Sequence, residues 1–280
     1  MDQLRYPKLL TIQDISCVGQ CSLTVALPIL SACGAETCIL PSAVLSTHTG
    51  GFKGFTVRDL TADMPAVAAH WKKEGISFDA VYTGYLGSIE QIGYVQDIIR
   101  DLRRPGGKVF VDPAMADNGV LYGAFDMPYV HAIKPLCFSA DVMLPNLTEA
   151  CLLTDMPYRT EYDEAYIAEI LTRLEAAGAG TVILTGISYE PGTTGVIVRE
   201  NGVTQYYRHK YLDRVTHGTG DVYASIFVGA VLQGRSAFEA AKLAADLTVQ
   251  SIENTMDDAS HWYGVKFETV LPALIDALRK

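Results

Sequence analysis

Residues 8–40 read KLLTIQDISCVGQCSLTVALPILSACGAETCIL, and this stretch sets the fold class. Lys8 to Gln13 is a buried-strand run. Ser22 to Ala32 has helix character and stops at Gly34, and Glu36 to Leu40 is a second strand. The rhythm continues outward. Asp59 to Glu74 reads as a helix stopped by Gly75, Ala80 to Thr83 as a strand, and Ile89 to Leu102 as a helix with Pro105-Gly106-Gly107 as its stop. Strands follow at Lys108 to Val111 and Val142 to Leu144, a helix at Asp163 to Ala177, and a strand at Thr181 to Leu184. Strands alternating with helices predict an α/β fold with a mainly parallel sheet covered on both faces.

Near residue 195 the rhythm changes. Gly195 to Arg199 and Val203 to Arg208 flank Glu200-Asn201-Gly202, which predicts a β-hairpin and antiparallel strands at one edge. Three helices are expected after it, at Asp221 to Leu232, Ala237 to Asn254 and Phe267 to Arg279. No repeat, low-complexity segment or linker interrupts the pattern, so one domain over residues 1–280 is expected.

Composition narrows the partners. The chain carries a net charge of −10 and no basic run. Nucleic acid and anionic membrane are excluded as expected partners. No apolar run has the length of a membrane span. The opening Met1-Asp2-Gln3-Leu4-Arg5 lacks a signal-peptide layout, so a cytoplasmic protein is expected. The six cysteines, Cys17, Cys21, Cys33, Cys38, Cys137 and Cys151, form no Cys-x-x-Cys pair. Buried free thiols are expected rather than zinc.

Polar residues gather at the predicted carboxyl ends of the strands, where open α/β sheets bind ligands. Asp14 follows strand one, Ser46-Thr47-His48-Thr49 strand two, and Thr83-Gly84-Tyr85 strand three. Asp112, Asn146 and Glu149, and Thr185-Gly186 follow the next three. Asp112, Asp117, Asn146 and Glu149 suit a hard cation held largely through water and phosphate oxygens. Asp112 and Asn146 equally suit helix caps, and Glu149 an ordinary first helical turn. Asp14, His48, Thr49 and Tyr85 suit a small polar ring, although His48 also fits a satisfied structural histidine.

Gly218-Thr219-Gly220-Asp221 opens the helix before Val222 to Leu232. Glycines allow close backbone approach, and the uncapped N–H groups of a first helical turn attract phosphate. A carboxylate at that lip can take a proton from an incoming hydroxyl, which is the equipment of phosphoryl transfer to an alcohol. The plainer reading of the same residues is a tight turn with Asp221 as N-cap.

Gly218-Thr219-Gly220-Asp221 resembles the signature of the ribokinase-like superfamily. With Ile12-Gln13, Gly19, Ser46 and His48-Thr49, Thr83-Gly84-Tyr85-Leu86-Gly87-Ser88, Asp112-Pro113, and Pro145-Asn146 with Glu149, the ordered set resembles the pyridoxal kinases from about residue 8 to about residue 255. The resemblance implies a three-layer sandwich and transfer of phosphate from ATP to the 5′-hydroxymethyl group of vitamin B6 vitamers. It implies Asp221 as base and Gly218, Thr219 and Gly220 as anion hole. Asn146 and Glu149 would organise Mg2+, a monovalent cation such as K+ being a further candidate. Asp112, Asp117 and Tyr122 would line the phosphate channel, Thr185 and Gly186 the nucleotide site, and Asp14, His48, Thr49 and Tyr85 the pyridine ring. It also implies a homodimer, no β-sheet lid, and a loop over ATP at Met115 to Tyr122. Asp14 stands where many pyridoxal kinases carry serine, which favours pyridoxamine or, equally, the aminopyrimidine of hydroxymethylpyrimidine. The rivals are hydroxymethylpyrimidine kinase and a non-catalytic B6-binding protein; the second would be expected to lack Asp221, Asn146 or Glu149.

Overall fold

The computed structural model describes residues 5–213 and 217–279, so the opening Met1 to Leu4 lies outside the described residues. The first unit is β1 (Lys8–Ser16), α1 (Leu23–Ala32) and β2 (Glu36–Leu45). Then come β3 (Val57–Asp59), α2 (Met64–Lys73), β4 (Phe78–Thr83), α3 (Ile89–Leu102) and β5 (Arg103–Val111). A two-residue pair, β6 (Ala116–Asp117) and β7 (Val120–Leu121), precedes α4 (Met127–Phe138), β8 (Val142–Met143) and α5 (Leu147–Thr154). The chain continues through α6 (Glu164–Ala176), β9 (Thr181–Thr185), β10 (Thr193–Glu200) and β11 (Val203–Lys210). It closes with α7 (Thr219–Leu232), α8 (Ala237–Glu253) and α9 (Leu271–Leu278).

Nine strands form one sheet in the order β11-β10-β9-β8-β5-β4-β1-β2-β3. Contacts from β9 through β2 are parallel, whereas β10, β11 and β3 pair antiparallel at the two edges. Pleating divides each strand between two cores. Leu10, Ile12, Val109 and Val111 face a core shared with α2 to α6. Leu9, Tyr82 and Phe110 face a second core shared with α1, α7, α8 and α9. The result is three layers, helix on sheet on helix, as expected.

Local chemistry explains the helix starts. Ser88, Asp126 and Asp163 each accept a backbone N–H from the third residue beyond them, and Ser236 with Glu239 closes a capping box. α7 needs no polar face, because Val222 to Ala230 is buried without interruption. Its Phe227 meets Phe110 of β5 edge-on, ring centres 6.5 Å apart.

Several elements differ from expectation. Val57 to Asp59 is an edge strand, so the helix expected from Asp59 begins at Met64 after a 3-10 turn. Pro105-Gly106-Gly107 lies inside β5, where pairing jumps from Phe78–Arg103 to Ala80–Lys108 and the irregular segment bulges out of the ladder. The expected last helix is split into a 3-10 segment at Phe267–Val270 and α9. α4, β6 and β7 were not expected, and α5 was foreseen only in the weighing of Asn146 as a helix cap and Glu149 in a first helical turn. Of the thiols, Cys17 is exposed and Cys21 and Cys38 are half-buried, so only Cys33, Cys137 and Cys151 match the expected burial.

Candidate active site

From β1 the parallel strands run outward in both directions, to β2 on one side and β4 on the other, so a crevice opens at their carboxyl ends. Asp14 stands there because the β1–β2 register slips between Gln13 and Ile15. It is 5 % exposed and accepts a hydrogen bond from Ser16 Oγ at 3.1 Å. Burial pushes its carboxyl up, and bonds from Ser22 and Ser16 oppose the shift.

The start of α7 closes this crevice. Gly218 is the N-cap, with φ of 74° and no capping side chain. A Cβ at Gly218 would fall 1.6 Å from the Gln20 carbonyl oxygen, so only glycine fits. The space around Gly220 is open. Asp221 is therefore the third residue of the helix and not its N-cap, which corrects the plainer reading. Its side chain keeps some solvent contact at the lip yet sits deep enough that burial pushes its carboxyl up to about 7. The Ser22 amide counters that rise and the charge of Asp14 adds to it. A carboxylate poised near neutrality suits a general base.

Beyond Asp221 lies an acidic rim. Asp112 follows β5 and accepts the Ala114 N–H. Burial and the charges of Glu149 and Asp221 raise its carboxyl well above the usual range. Glu149 is fully enclosed and joins Asn146 in a capping box at the start of α5. Its Oε2 accepts from Asn146 N at 3.0 Å, and its Oε1 accepts from Met115 N at 2.9 Å and Ala116 N. Burial raises its carboxyl to about 7 against these bonds. Asn146 Nδ2 donates to the Ala116 carbonyl at 2.7 Å. The two residues thus take the cap positions weighed from the sequence, and they clamp the segment from Met115 onward. Asp117 and Tyr122 of that segment are exposed. The Tyr122 hydroxyl is raised by burial and then by Glu149, Asp117, Asp112 and Asp221, which places it over the rim. Thr185 bridges to Asn146 in the next strand position, and Gly186 follows it in the open.

Aromatic groups bound the other side. Tyr85 meets Phe125 at 5.2 Å, and Phe125 stacks on Tyr129 at 4.0 Å. The Tyr129 hydroxyl donates to the Leu86 carbonyl at 2.7 Å and fixes that stack. Burial raises the Tyr85 hydroxyl, with the charge of Asp14 next, so the two share the crevice. His48 Nδ1 accepts the Gly50 N–H at 3.0 Å, which leaves Nε2 to donate to the Tyr263 carbonyl at 2.7 Å. Both nitrogens are engaged, so His48 offers a ring face and not a free donor. Phe52 and His217 each lie 5.0 Å from that ring, and Trp262 lies 4.6 Å from Phe52. Thr49 is exposed beside them.

The structure thus brings Asp14, Tyr85, Asp112, Glu149, Tyr122 and Asp221 into one electrostatic neighbourhood. Sequence reasoning missed Phe125, Tyr129, Phe52 and Trp262. Their only signal was aromatic content in polar loops. A depression of about 440 Å³ beside Asp141, Glu175 and Glu200 sits at the amino ends of β8 and β9, away from this chemistry.

Residues 27–265 match the family model described as phosphomethylpyrimidine kinase. The chain belongs to that family. It is a kinase of the ribokinase-like superfamily, with the pyridoxal kinases among its relatives. A Bacteroides thetaiotaomicron protein carrying the phosphomethylpyrimidine kinase name, crystallised with pyridoxal, is 39 % identical, with a TM-score of 0.91 and 96 % of each chain covered. Pyridoxal kinase from Lactobacillus plantarum is 31 % identical at a TM-score of 0.90, with 97 % of each chain covered. Pyridoxine/pyridoxal/pyridoxamine kinase from Bordetella bronchiseptica is 27 % identical over 263 residues, covering 88 % of this chain and 89 % of the relative.

Proposed function

We propose that this kinase phosphorylates the exocyclic hydroxymethyl group of vitamin B6 vitamers with ATP, as a homodimer in the cytoplasm. The observation that carries the reading is the shared crevice of Asp14, Tyr85 and the His48 ring with Asp221 at the start of α7. The hydroxymethyl oxygen attacks the γ-phosphorus, the bond from that phosphorus to the ADP oxygen breaks, and Asp221 accepts the hydroxyl proton. Because the transition state is loose, the alcohol acidifies late and a carboxylate is an adequate base. The first-turn amides of Gly218, Thr219 and Gly220 receive the charge on the transferred group. Asp14 holds the polar edge of the ring, and Tyr85, Thr49 and His48 frame it. Asp112, Asp117 and Tyr122 line the phosphate path, with Thr185 and Gly186 beside the nucleotide.

Among the described residues no group of three or more His, Cys, Asp or Glu side chains is arranged to hold a metal ion directly. The oxygens of Glu149 and Asn146 are engaged by backbone groups but keep lone pairs for water. That donor set fits Mg2+ held by phosphate oxygens and water, with Asn146 and Glu149 ordering the water. Bound there, Mg2+ would supply neutralisation of the phosphate charge.

The second reading is hydroxymethylpyrimidine phosphorylation, favoured by the description of the family model itself. A coupled ADP-release assay across pyridoxal, pyridoxamine, pyridoxine and hydroxymethylpyrimidine separates the two. Turnover of a B6 vitamer at the highest kcat/KM is expected; a clear preference for hydroxymethylpyrimidine overturns the reading. Binding without ADP release would make the chain a B6-binding protein.

A further inference from the structure

Gly19 and Gln20, in the loop after β1, are gripped on three sides. A Cβ at Gly19 would fall 2.1 Å from Cδ2 of the His48 ring, so that ring lies directly on the loop backbone. The Gln20 carbonyl oxygen abuts Gly218, where a Cβ would fall 1.6 Å away. Behind Gln20 stands Gly264. A Cβ there would fall 2.4 Å from Gln20 Cβ, 2.7 Å from its Cγ and 3.2 Å from its backbone nitrogen. Gly264 is buried and keeps a backbone outside the left-handed region, so space and not φ is what demands glycine at this position. Its neighbour Tyr263 supplies the carbonyl that receives His48 Nε2 at 2.7 Å. Two more bonds tie the loop in place. His48 N donates to the Val18 carbonyl at 3.2 Å, and Gln20 Nε2 donates to Glu268 Oε1 at 3.0 Å.

Two adjacent residues ahead of the last helix therefore hold both halves of the crevice. Tyr263 holds the His48 ring through its carbonyl, and Gly264 backs the Gln20 peptide on which Gly218 is seated. The order across the crevice floor is the His48 ring, the Gly19-Gln20 backbone and the start of α7. Packed interiors compress little, so a thickness fixed at one point of such a stack is passed to the next. We propose that Gln20 and Gly264 are positioning residues: the Gly19-Gln20 peptide, backed by Gly264, sets the separation between the acceptor ring at His48 and the phosphate at Gly218. The inference rests on the roles proposed for His48 and Gly218. Both positioning residues act through those neighbours. The reaction is sensitive to the spacing they set, because an error of about 1 Å between reacting groups costs on the order of 10²-fold in rate.

Gly264→Ala drives a methyl group into Gln20. Both ways out reach His48: Gly264 backs off with Tyr263, or Gln20 shifts and takes Gly19 with it. With pyridoxal and Mg-ATP, kcat per folded molecule is expected to fall about 10- to 100-fold, with both KM values within about threefold of the wild type. Circular dichroism supplies the folded fraction. Adding Gln20→Gly removes the Cβ and Cγ in the way, so the double variant should turn over within about threefold of Gln20→Gly alone. A merely structural glycine predicts fewer folded molecules and an unchanged kcat for those that remain. That result, or losses that multiply in the double variant, overturns the proposal. If Gly264→Ala folds poorly, Gln20→Ala in the wild-type background empties the space beside Gly264 and releases the tie to Glu268. Its kcat per folded molecule is expected to fall about threefold at unchanged KM, and no fall overturns the proposal equally. If the wild type phosphorylates none of the four acceptors, the proposed function fails by itself. Imidazole nitrogen-15 NMR then reads the stack directly, with His48 assigned by the resonances missing from His48→Gln. Its Nε2–H signal should move in Gly264→Ala and return in the double variant, and an unmoved signal refutes the positioning role.

Discussion

Asp221→Asn should yield an enzyme that is nearly inactive yet more stable. The wild-type carboxyl moves from its usual 3.8 to about 7 on folding, chiefly through burial. That is roughly 3 pH units, and at ~1.4 kcal/mol per unit the cost of charging it in the fold is at most about 4 kcal/mol. Solvent reaches the lip of the crevice and screens part of this, so about 2 kcal/mol is the working figure. The direction follows from proton counting. Between pH 4 and 7 the folded state holds the Asp221 proton more tightly than the unfolded chain, so stability falls as pH rises through that window. Asparagine carries no charge and escapes the penalty. At pH 8 the variant should melt about 4 °C higher, taking ~2 °C per kcal/mol for a chain of this size. At pH 4.5 the advantage should shrink below about 1 kcal/mol, because the wild type is then protonated in the fold. Turnover should fall about 10²- to 10⁴-fold with ATP binding retained. Thermal melts at the two pH values and a coupled assay measure all of this. A melting gain that is absent at pH 8, or equal at both pH values, would refute the burial argument. Near-normal turnover would remove Asp221 from the role of base.

Gly218→Ala must push a methyl group into the Gln20 carbonyl from a left-handed backbone, so a loss of about 2–3 kcal/mol and collapse of ATP-dependent turnover are expected in melts and rate assays. Asp14→Ser should lower the ratio of kcat/KM for pyridoxamine over pyridoxal, and an unchanged ratio denies Asp14 a discriminating part. Glu149→Gln replaces one carboxylate acceptor by an NH2 group facing backbone donors, so about 1–3 kcal/mol of stability should be lost, with the segment from Met115 becoming more open to protease.

Much of this molecule was legible in its sequence, for reasons that differ by element. α3 was read with its full span, because Ser88 caps it and an apolar stripe follows. α4 escaped notice: Pro128 stands in its first turn and Pro135 inside it, and both read as loop punctuation although the fold accommodates them. β3 has three residues, too few for any periodicity. The gathering of Asp14, Asp112 and Asp221 around one crevice was legible because strand ends and helix starts fix where backbones converge. The clamp from Glu149 to Met115 and the seat of His48 against Tyr263 were not, since each joins residues far apart along the chain.

The helix that begins at Gly218 has a consequence for how the enzyme wears out. Nine consecutive residues after Asp221 are sealed inside the interior, so the end that carries Asp221 is anchored to the thickest part of the body. Such an end has no independent way to loosen. Heat should therefore abolish activity only as the whole layer comes apart, with inactivation and loss of helical circular dichroism tracing one curve.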